Sequence, residues 1–224
     1  MNINKHILID AFKQPLPGKE AQLIMSPSVR FTGRKSHNPN QARESSVLIL
    51  LSKKNDQWHI PFIQRPVYKG AHSGQVSFPG GKTEEFDNTY FDTAIRETEE
   101  EIGINRKHVQ YIGKLTSLYI PNSNFVVYPH VGISQNEPHY KANPREVETI
   151  IEVPLTELTN PKRIKSFSRT INNVQVDAPF FHFDSFEIWG ATAMILSEFI
   201  EVLKRQELNP LLHSYNGCNA PECQ

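Results

Sequence analysis

The spacing of apolar residues changes along this chain, and each change marks an element. SVLILLS (46–52) is an unbroken apolar run of strand length. WHIPFIQR (58–65) follows after the turn-forming KKNDQ, so the two predict a hairpin. QVSFPGG then runs from a strand into a glycine pair. From Tyr90 to Ile102 the spacing becomes helical: Phe91, Ala94, Ile95, Thr98 and Ile102 recur at three and four and form one stripe. Asn88 or Thr89 stands at the N-cap position and Gly103 at the stop. VQYIGKL, FVVYPHVGI and VETIIEVPL predict three further strands. FEIWGATAMILSEFIEVLKRQEL carries Ile188, Ala191, Ile195, Phe199 and Leu203 at helical spacing and predicts a core helix. Residues 3–13 predict a short helix, followed by a Pro-rich turn in KQPLPGKE. Strands mixed with two well-separated helices imply an α/β class, a mixed β-sheet sandwiched between helices (α/β/α).

A length of 224 residues suits one domain with a full core. The expected boundaries are an N-terminal appendage over 1–40 packing on the core, a main domain over 41–207 and a tail over 208–224. The 24 basic and 24 acidic residues cancel, so nothing advertises a nucleic acid or a charged membrane as partner, and any anion binding must be local. The N-terminus MNINKHILIDAFKQ has no apolar stretch of signal-peptide length, and no run of about eighteen apolar residues occurs. The expectation is a soluble, cytoplasmic protein, with homodimerisation left open. Cys218 and Cys223 both lie in the terminal GCNAPECQ, where no core surrounds them. A disulfide scaffold is thereby excluded, and two ligands do not close a zinc site, so a frayed tail is expected.

The helix ends in RETEEEIG (96–103), with four glutamates between Glu97 and Glu101. Like charges three or four residues apart repel by a few tenths of a kcal/mol per pair, so the crowding calls for compensation. At about 100° per residue, Glu97, Glu100 and Glu101 fall within an arc of about 100°, centred roughly 130° from the apolar stripe. Three carboxylates thus converge off the core, an arrangement that suits hard divalent cations with oxygen ligands. Glu99 points elsewhere and is expected to be solvated. A solvated acidic face is the alternative for the whole set.

The surroundings decide between them. Gly81 to Ile104, GKTEEFDNTYFDTAIRETEEEIGI, resembles the Nudix box: G, five residues, E, seven residues, then REUxEExGU with U apolar. Two features of its loop half depart from it, and one of its helical half. The acid after the glycine is Asp87 rather than Glu, and eight residues rather than seven separate it from Arg96; Thr98 also occupies an apolar position. The resemblance implies a Nudix fold, Mg²⁺ or Mn²⁺ held by Glu97, Glu100 and Glu101, and a backbone carbonyl from the Gly81 region. It further implies that Arg96 orients the glutamates and that the reaction is pyrophosphate hydrolysis. An acid beyond the box commonly serves such enzymes as general base or further ligand. Glu146 in PREVE is the first choice and Glu148 the second, with solvated surface as the competing reading.

The substrate is read from the segment before the box. IQRPVYKGAHSGQVSFPGG (63–81) resembles the signature upstream of the box in coenzyme A pyrophosphatases: Arg65, His72, Gly74, Val76, Phe78, Pro79 and Gly80 keep the register. Lys69 and Gly70 stand where that subfamily has Leu-Arg. The implied substrate is a small-molecule nucleotide diphosphate, coenzyme A or an acyl derivative. Arg43, Arg65, Lys69 and Lys82 are candidates for meeting its phosphates, and His72 either joins them or holds a loop. Phe78 and Trp189 are expected in the core. Pro121 lies near a position where some ADP-sugar pyrophosphatases carry proline, which keeps ADP-ribose as the alternative. A non-catalytic Nudix-like sensor is disfavoured because all three box glutamates are present.

Overall fold

The computed structural model describes residues 5–28, 41–67, 73–171 and 173–207. In chain order the elements are α1 (Lys5–Ala11), α2 (Gly18–Leu23), β1 (Arg43–Lys54), β2 (Gln57–Gln64), β3 (Val76–Ser77), β4 (Gly80–Lys82) and α3 (Tyr90–Ile102). There follow β5 (Val109–Lys114), β6 (Leu118–Ile120), β7 (Phe125–Ser134), β8 (Thr149–Pro154), α4 (Leu155–Leu158), β9 (Ile164–Ile171), β10 (Val174–Phe183), β11 (Phe186–Trp189) and α5 (Gly190–Glu207).

β1 is the axis of the molecule. Its apolar run has no polar face because both faces are covered: Leu48 and Leu50 join Ala94 and Ile102 of α3, whereas Ile49 and Leu51 join Leu8, Ile195 and Phe199 on the α1 and α5 side. Successive strand residues point to opposite faces, so one strand serves two cores. Each fully buried leucine or isoleucine contributes roughly 1.5–3 kcal/mol. β1 pairs antiparallel with β2 and β4 and parallel with β7, giving a mixed sheet in the order β3-β2-β1-β7-β5, with β4, β6 and β8 joined to it. The β1–β2 hairpin turns on Asn55 and Asp56, both left-handed, as a tight two-residue connection requires.

α3 has the predicted bounds. Thr89 caps it, its hydroxyl accepting from the Asp92 N–H, and Gly103 closes it at φ 74° with its N–H on the Glu99 carbonyl. Thr98 fits the apolar stripe because its hydroxyl donates to the Ala94 carbonyl at 2.7 Å, one turn back, which leaves its methyl to the core.

Two expectations are corrected. FEIW is not helical: Phe186 to Trp189 pair antiparallel with β10, and α5 begins at Gly190. Ile188 sits at helical spacing from Ala191 but is buried from a strand. β9, β10 and β11 also form a second, three-stranded sheet that the apolar pattern did not announce, because β9 is largely exposed and carries no alternation.

Residues 5–28 add Leu8, Ala11 and Met25 to the α5-side core. Their anchor is Glu198 of α5, fully buried. Its carboxylate accepts from the Gly18 N–H (3.2 Å), Gln22 Nε2 (2.8 Å), the Thr116 N–H (3.2 Å) and Thr116 Oγ1 (2.7 Å). A buried charge is tolerable when hydrogen bonds replace its water in this way. Among the described residues no helix is long and apolar enough to cross a membrane. Cys218 and Cys223 lie outside the described residues.

Candidate active site

α3 and β4 build the site between them. Arg96, mostly buried, spends all five N–H donors. Nε donates to Asp87 Oδ1 (3.0 Å), Nη2 to Asp87 Oδ2 (3.0 Å) and the Lys82 carbonyl (3.1 Å), and Nη1 to Glu97 Oε1 (2.8 Å) and Glu100 Oε2 (3.4 Å). The two departures from the box meet in this one contact: the shorter acid and the longer loop together still place both Asp87 oxygens on the guanidinium. Asp87 also accepts from Thr93 Oγ1 and the Glu84 N–H. The Arg96 hydrogen bonds lead the causes that hold its carboxyl down at about 2. Asp87 is therefore an anchor for Arg96, a role the sequence left open.

Glu97, Glu101 and Glu146 each bring an oxygen within 4.8 Å of the others. Glu97 reaches this place because Gly81 has no side chain: a Cβ there would fall within 2.5 Å of Glu97 Oε1. Glu101 accepts the Gly80 N–H at 2.9 Å. It is only 2% exposed, so the expectation of carboxylates standing off the core fails for Glu101, which α3 buries beneath β4. Burial is the main reason its carboxyl is pushed up to about 8; the Gly80 N–H and Arg65 oppose that shift, while Glu97 and Glu146 add to it. Glu97 is raised likewise, chiefly by burial and against the pull of Arg96. Glu100, 52% exposed and paired with Arg96, stands outside this group of three. Glu99 is not merely solvated: it accepts from Arg106 Nε (2.7 Å) and from the Arg106 N–H.

Glu146 comes from a different part of the chain, on a loop latched to the end of α3. The Lys141 N–H donates to the Ile102 carbonyl and the Asn143 N–H to the Glu101 carbonyl, both at 2.9 Å. The Asn143 carbonyl in turn receives the Glu146 and Val147 N–H groups, and Asn143 Nδ2 reaches Glu146 Oε1 at 3.4 Å. Asn143 was missed in the sequence, although Asn before Pro is a turn signal. Glu148 is exposed and outside the group.

A cavity of about 400 Å³ opens beside Gly80 and Gly81, between the sheet and the start of α5. Arg65 and Lys82 line it at the carboxylate end; Arg65 Nη2 is 3.9 Å from Glu101 Oε1, and Lys82 Nζ is 3.8 Å from Glu84. Phe78 is buried against Phe62 and also lines the cavity, as do Trp189 and Pro121. Arg43 is not among the lining residues: its guanidinium lies 4.1 Å from the Phe125 ring centre and donates to the Ser123 carbonyl, bracing the turn at the rim. Lys69, Gly70 and His72 lie outside the described residues. Three carboxylates that bring their oxygens within 4.8 Å of one another, two of them with carboxyls raised chiefly by burial, are a donor set that fits a hard divalent cation.

Residues 42–173 match the family model described as the NUDIX domain. The chain is similar to a Photorhabdus laumondii protein named "Uncharacterized Nudix hydrolase NudL", 34% identical over 131 residues, which span 58% of this chain and 70% of that one. It is also similar to a protein of the same name from Yersinia enterocolitica, 35% identical over 125 residues, 56% of this chain and 64% of that one. Among solved structures it resembles a MutT/nudix family protein from Enterococcus faecalis, with a TM-score of 0.48 and 15% identity, covering 83% of this chain and 70% of that one.

Proposed function

Because the chain belongs to the Nudix family, we propose that it hydrolyses a nucleoside diphosphate linked to another moiety. The substrate we assign is coenzyme A or an acyl derivative, cut to 3′,5′-ADP and the corresponding 4′-phosphopantetheine. The observation that carries this choice is the cavity wall: Val47, Phe78, Leu118, Ile120, Val127 and Met194 line a space that begins beside the carboxylates. Such a wall suits a long, weakly polar chain. It offers few partners for the hydroxyls of a sugar, which makes ADP-ribose the second choice.

Glu97, Glu101 and Glu146 would hold Mg²⁺ or Mn²⁺, with Glu100 at the rim and the Gly81 carbonyl as further donors. When bound, such an ion neutralises diphosphate charge and lowers the pKa of a coordinated water. The remaining work belongs to the chain. Arg96 fixes Glu97 and Glu100 by charge-assisted hydrogen bonds. Arg65 and Lys82 supply positive charge where the diphosphate would enter the cavity, and Lys69 and His72 are proposed as further phosphate contacts. Glu146, exposed and able to reach water, is the candidate base for the attacking water's proton.

The test is product identification from coenzyme A, dephospho-coenzyme A and ADP-ribose in Mg²⁺ and in Mn²⁺. The expected outcome is the highest kcat/KM for coenzyme A, with 3′,5′-ADP released. Preference for ADP-ribose would sink the substrate assignment, and binding without product would point to a sensor. Glu97→Gln is expected to abolish turnover with the fold intact.

A further inference from the structure

The cavity wall holds two buried hydroxyls that the protein itself does not use. Ser77 and Ser123 both line it, and the Oγ atom of each is buried with no hydrogen-bond partner among the described residues. Nearby hydroxyls behave differently: Ser45 Oγ donates to the Val126 carbonyl, Ser46 Oγ to the Tyr128 carbonyl and Thr192 Oγ1 to the Val76 carbonyl. Buried hydroxyls normally find such partners, because leaving one unpaired costs stability. Among the described residues the other buried orphans are Thr83 Oγ1 and His130 Nδ1, and neither lines the cavity. The two that do stand in different walls, Ser77 on β3 and Ser123 in the turn between β6 and β7.

We propose that Ser77 and Ser123 form a subsite for an uncharged, amide-bearing chain that fills this cavity. The assignment rests on the substrate class given above and names the residues that select it. A hydroxyl both donates and accepts, which matches an amide's C=O and N–H, and it carries no charge to attract a second anion. The cations, Arg65 and Lys82, stand at the carboxylate end instead. Ser45 and Thr192 in the same wall already donate to carbonyls, and Gln75 and Asn122 add amides, so the two unpaired hydroxyls stand among few other polar groups and suit a chain with isolated polar groups. Both Oγ atoms are sealed in the wall as they stand, so the pairing requires a change of χ1 between staggered rotamers rather than backbone movement.

The experiment compares wild type with Ser77→Ala, Ser123→Ala and the double variant by ligand-free thermal melting and by kcat/KM on two substrates. These are coenzyme A and an ADP hexyl diester, which keeps the diphosphate and an apolar tail but has no amide. Removing an unpaired hydroxyl is expected to leave the melting temperature unchanged or raise it. Each single variant is expected to lose about tenfold more on coenzyme A than on the hexyl compound, the size of one hydrogen bond. A lowered melting temperature, or equal losses on both substrates, would overturn the subsite. Calorimetric binding of pantetheine alone separates this inference from the substrate assignment. Binding that weakens in the double variant supports the subsite even if ADP-ribose proves the better substrate, and no binding to wild type overturns it.

Discussion

Gly80 and Gly81 adjoin in sequence, yet alanine at each should fail in a different way. At Gly81 an added Cβ would sit within 2.5 Å of Glu97 Oε1 and closer still to its Cδ. Ordinary carbon contacts begin at about 3.5 Å, so the carboxylate must withdraw by about 1 Å. It can do so, because a glutamate has rotatable bonds and Gly81 is not in the left-handed region. The overpacking, about 1–3 kcal/mol, is partly offset by the roughly 0.4–1 kcal/mol that alanine gains over glycine in the unfolded chain. The site tolerates the shift far less well. The withdrawal breaks the 2.8 Å bond to Arg96 and removes one carboxylate from the group of three. A displacement of about 1 Å in a reacting site costs on the order of 10²-fold in rate. Gly81→Ala is therefore expected to melt within a few degrees of wild type while losing about 10²-fold in kcat/KM and weakening Mn²⁺ binding, read by electron paramagnetic resonance. At Gly80, φ is +151° and the Cβ would meet the Ser46 carbonyl oxygen and, at 2.6 Å, Val47 Cα. Those are backbone atoms of β1 and cannot turn aside. Gly80→Ala is expected to yield little folded protein. A Gly81→Ala enzyme with wild-type rate and Mn²⁺ affinity, or a Gly80→Ala protein with wild-type melting, would refute the reasoning.

Asp87→Asn keeps the shape but turns an amide toward Arg96. With Glu97, Glu100 and the Lys82 carbonyl still in place, the loss should be about 2 kcal/mol in urea unfolding, together with a lower kcat, and an unchanged midpoint would contradict the anchoring role. Glu101 holds its proton up to about pH 8 in the folded, cation-free chain, whereas an unfolded glutamate loses it near 4.3. The folded state thus binds more protons between those values, and the stability of EDTA-treated protein should fall as pH rises from about 5 to 8. Mn²⁺ should reverse that fall at pH 8 and release about one proton on binding near pH 7, measured by calorimetry in two buffers. An identical pH slope in Glu101→Gln would show that another group is responsible. Glu198→Ala leaves four donations without an acceptor and should cost roughly 3–5 kcal/mol in urea unfolding, with the activity per folded molecule little changed. A loss under about 1 kcal/mol would mean that water takes over the carboxylate's place.

What could be read from the chain was what local rules decide. α3 was legible because Thr89, the apolar stripe and Gly103 all act within a few residues of one another. β1 was legible because burial on both faces leaves an unbroken apolar run. The three-stranded sheet was not, since exposed β9 lacks any periodicity and β11 merges into the helical spacing of α5. A helical wheel places Glu97, Glu100 and Glu101 on one side but cannot say what covers that side. The cover is β4, which buries Glu101 and leaves Glu100 at the rim with Arg96. Glu146 was reached only by resemblance, because backbone hydrogen bonds from a distant loop bring it to the end of α3. Ser77 and Ser123 gave no signal, since an unpaired hydroxyl is a property of three-dimensional surroundings.

The alternation along β1 has a consequence for how such an enzyme changes over time. Residues of one parity face α3 and the carboxylates; those of the other, Ser45 and Val47, face the cavity that would select the substrate. On the proposed function, bond breaking and substrate choice would thus occupy opposite sides of a single strand and meet along β4, three residues long. Replacements at Leu118, Ile120 or Met194 can reshape the cavity without touching the acidic helix. A lineage can therefore try new substrates by drift on one side while inheriting its chemistry unaltered on the other, and the glycine pair is the narrow border that neither side can redraw.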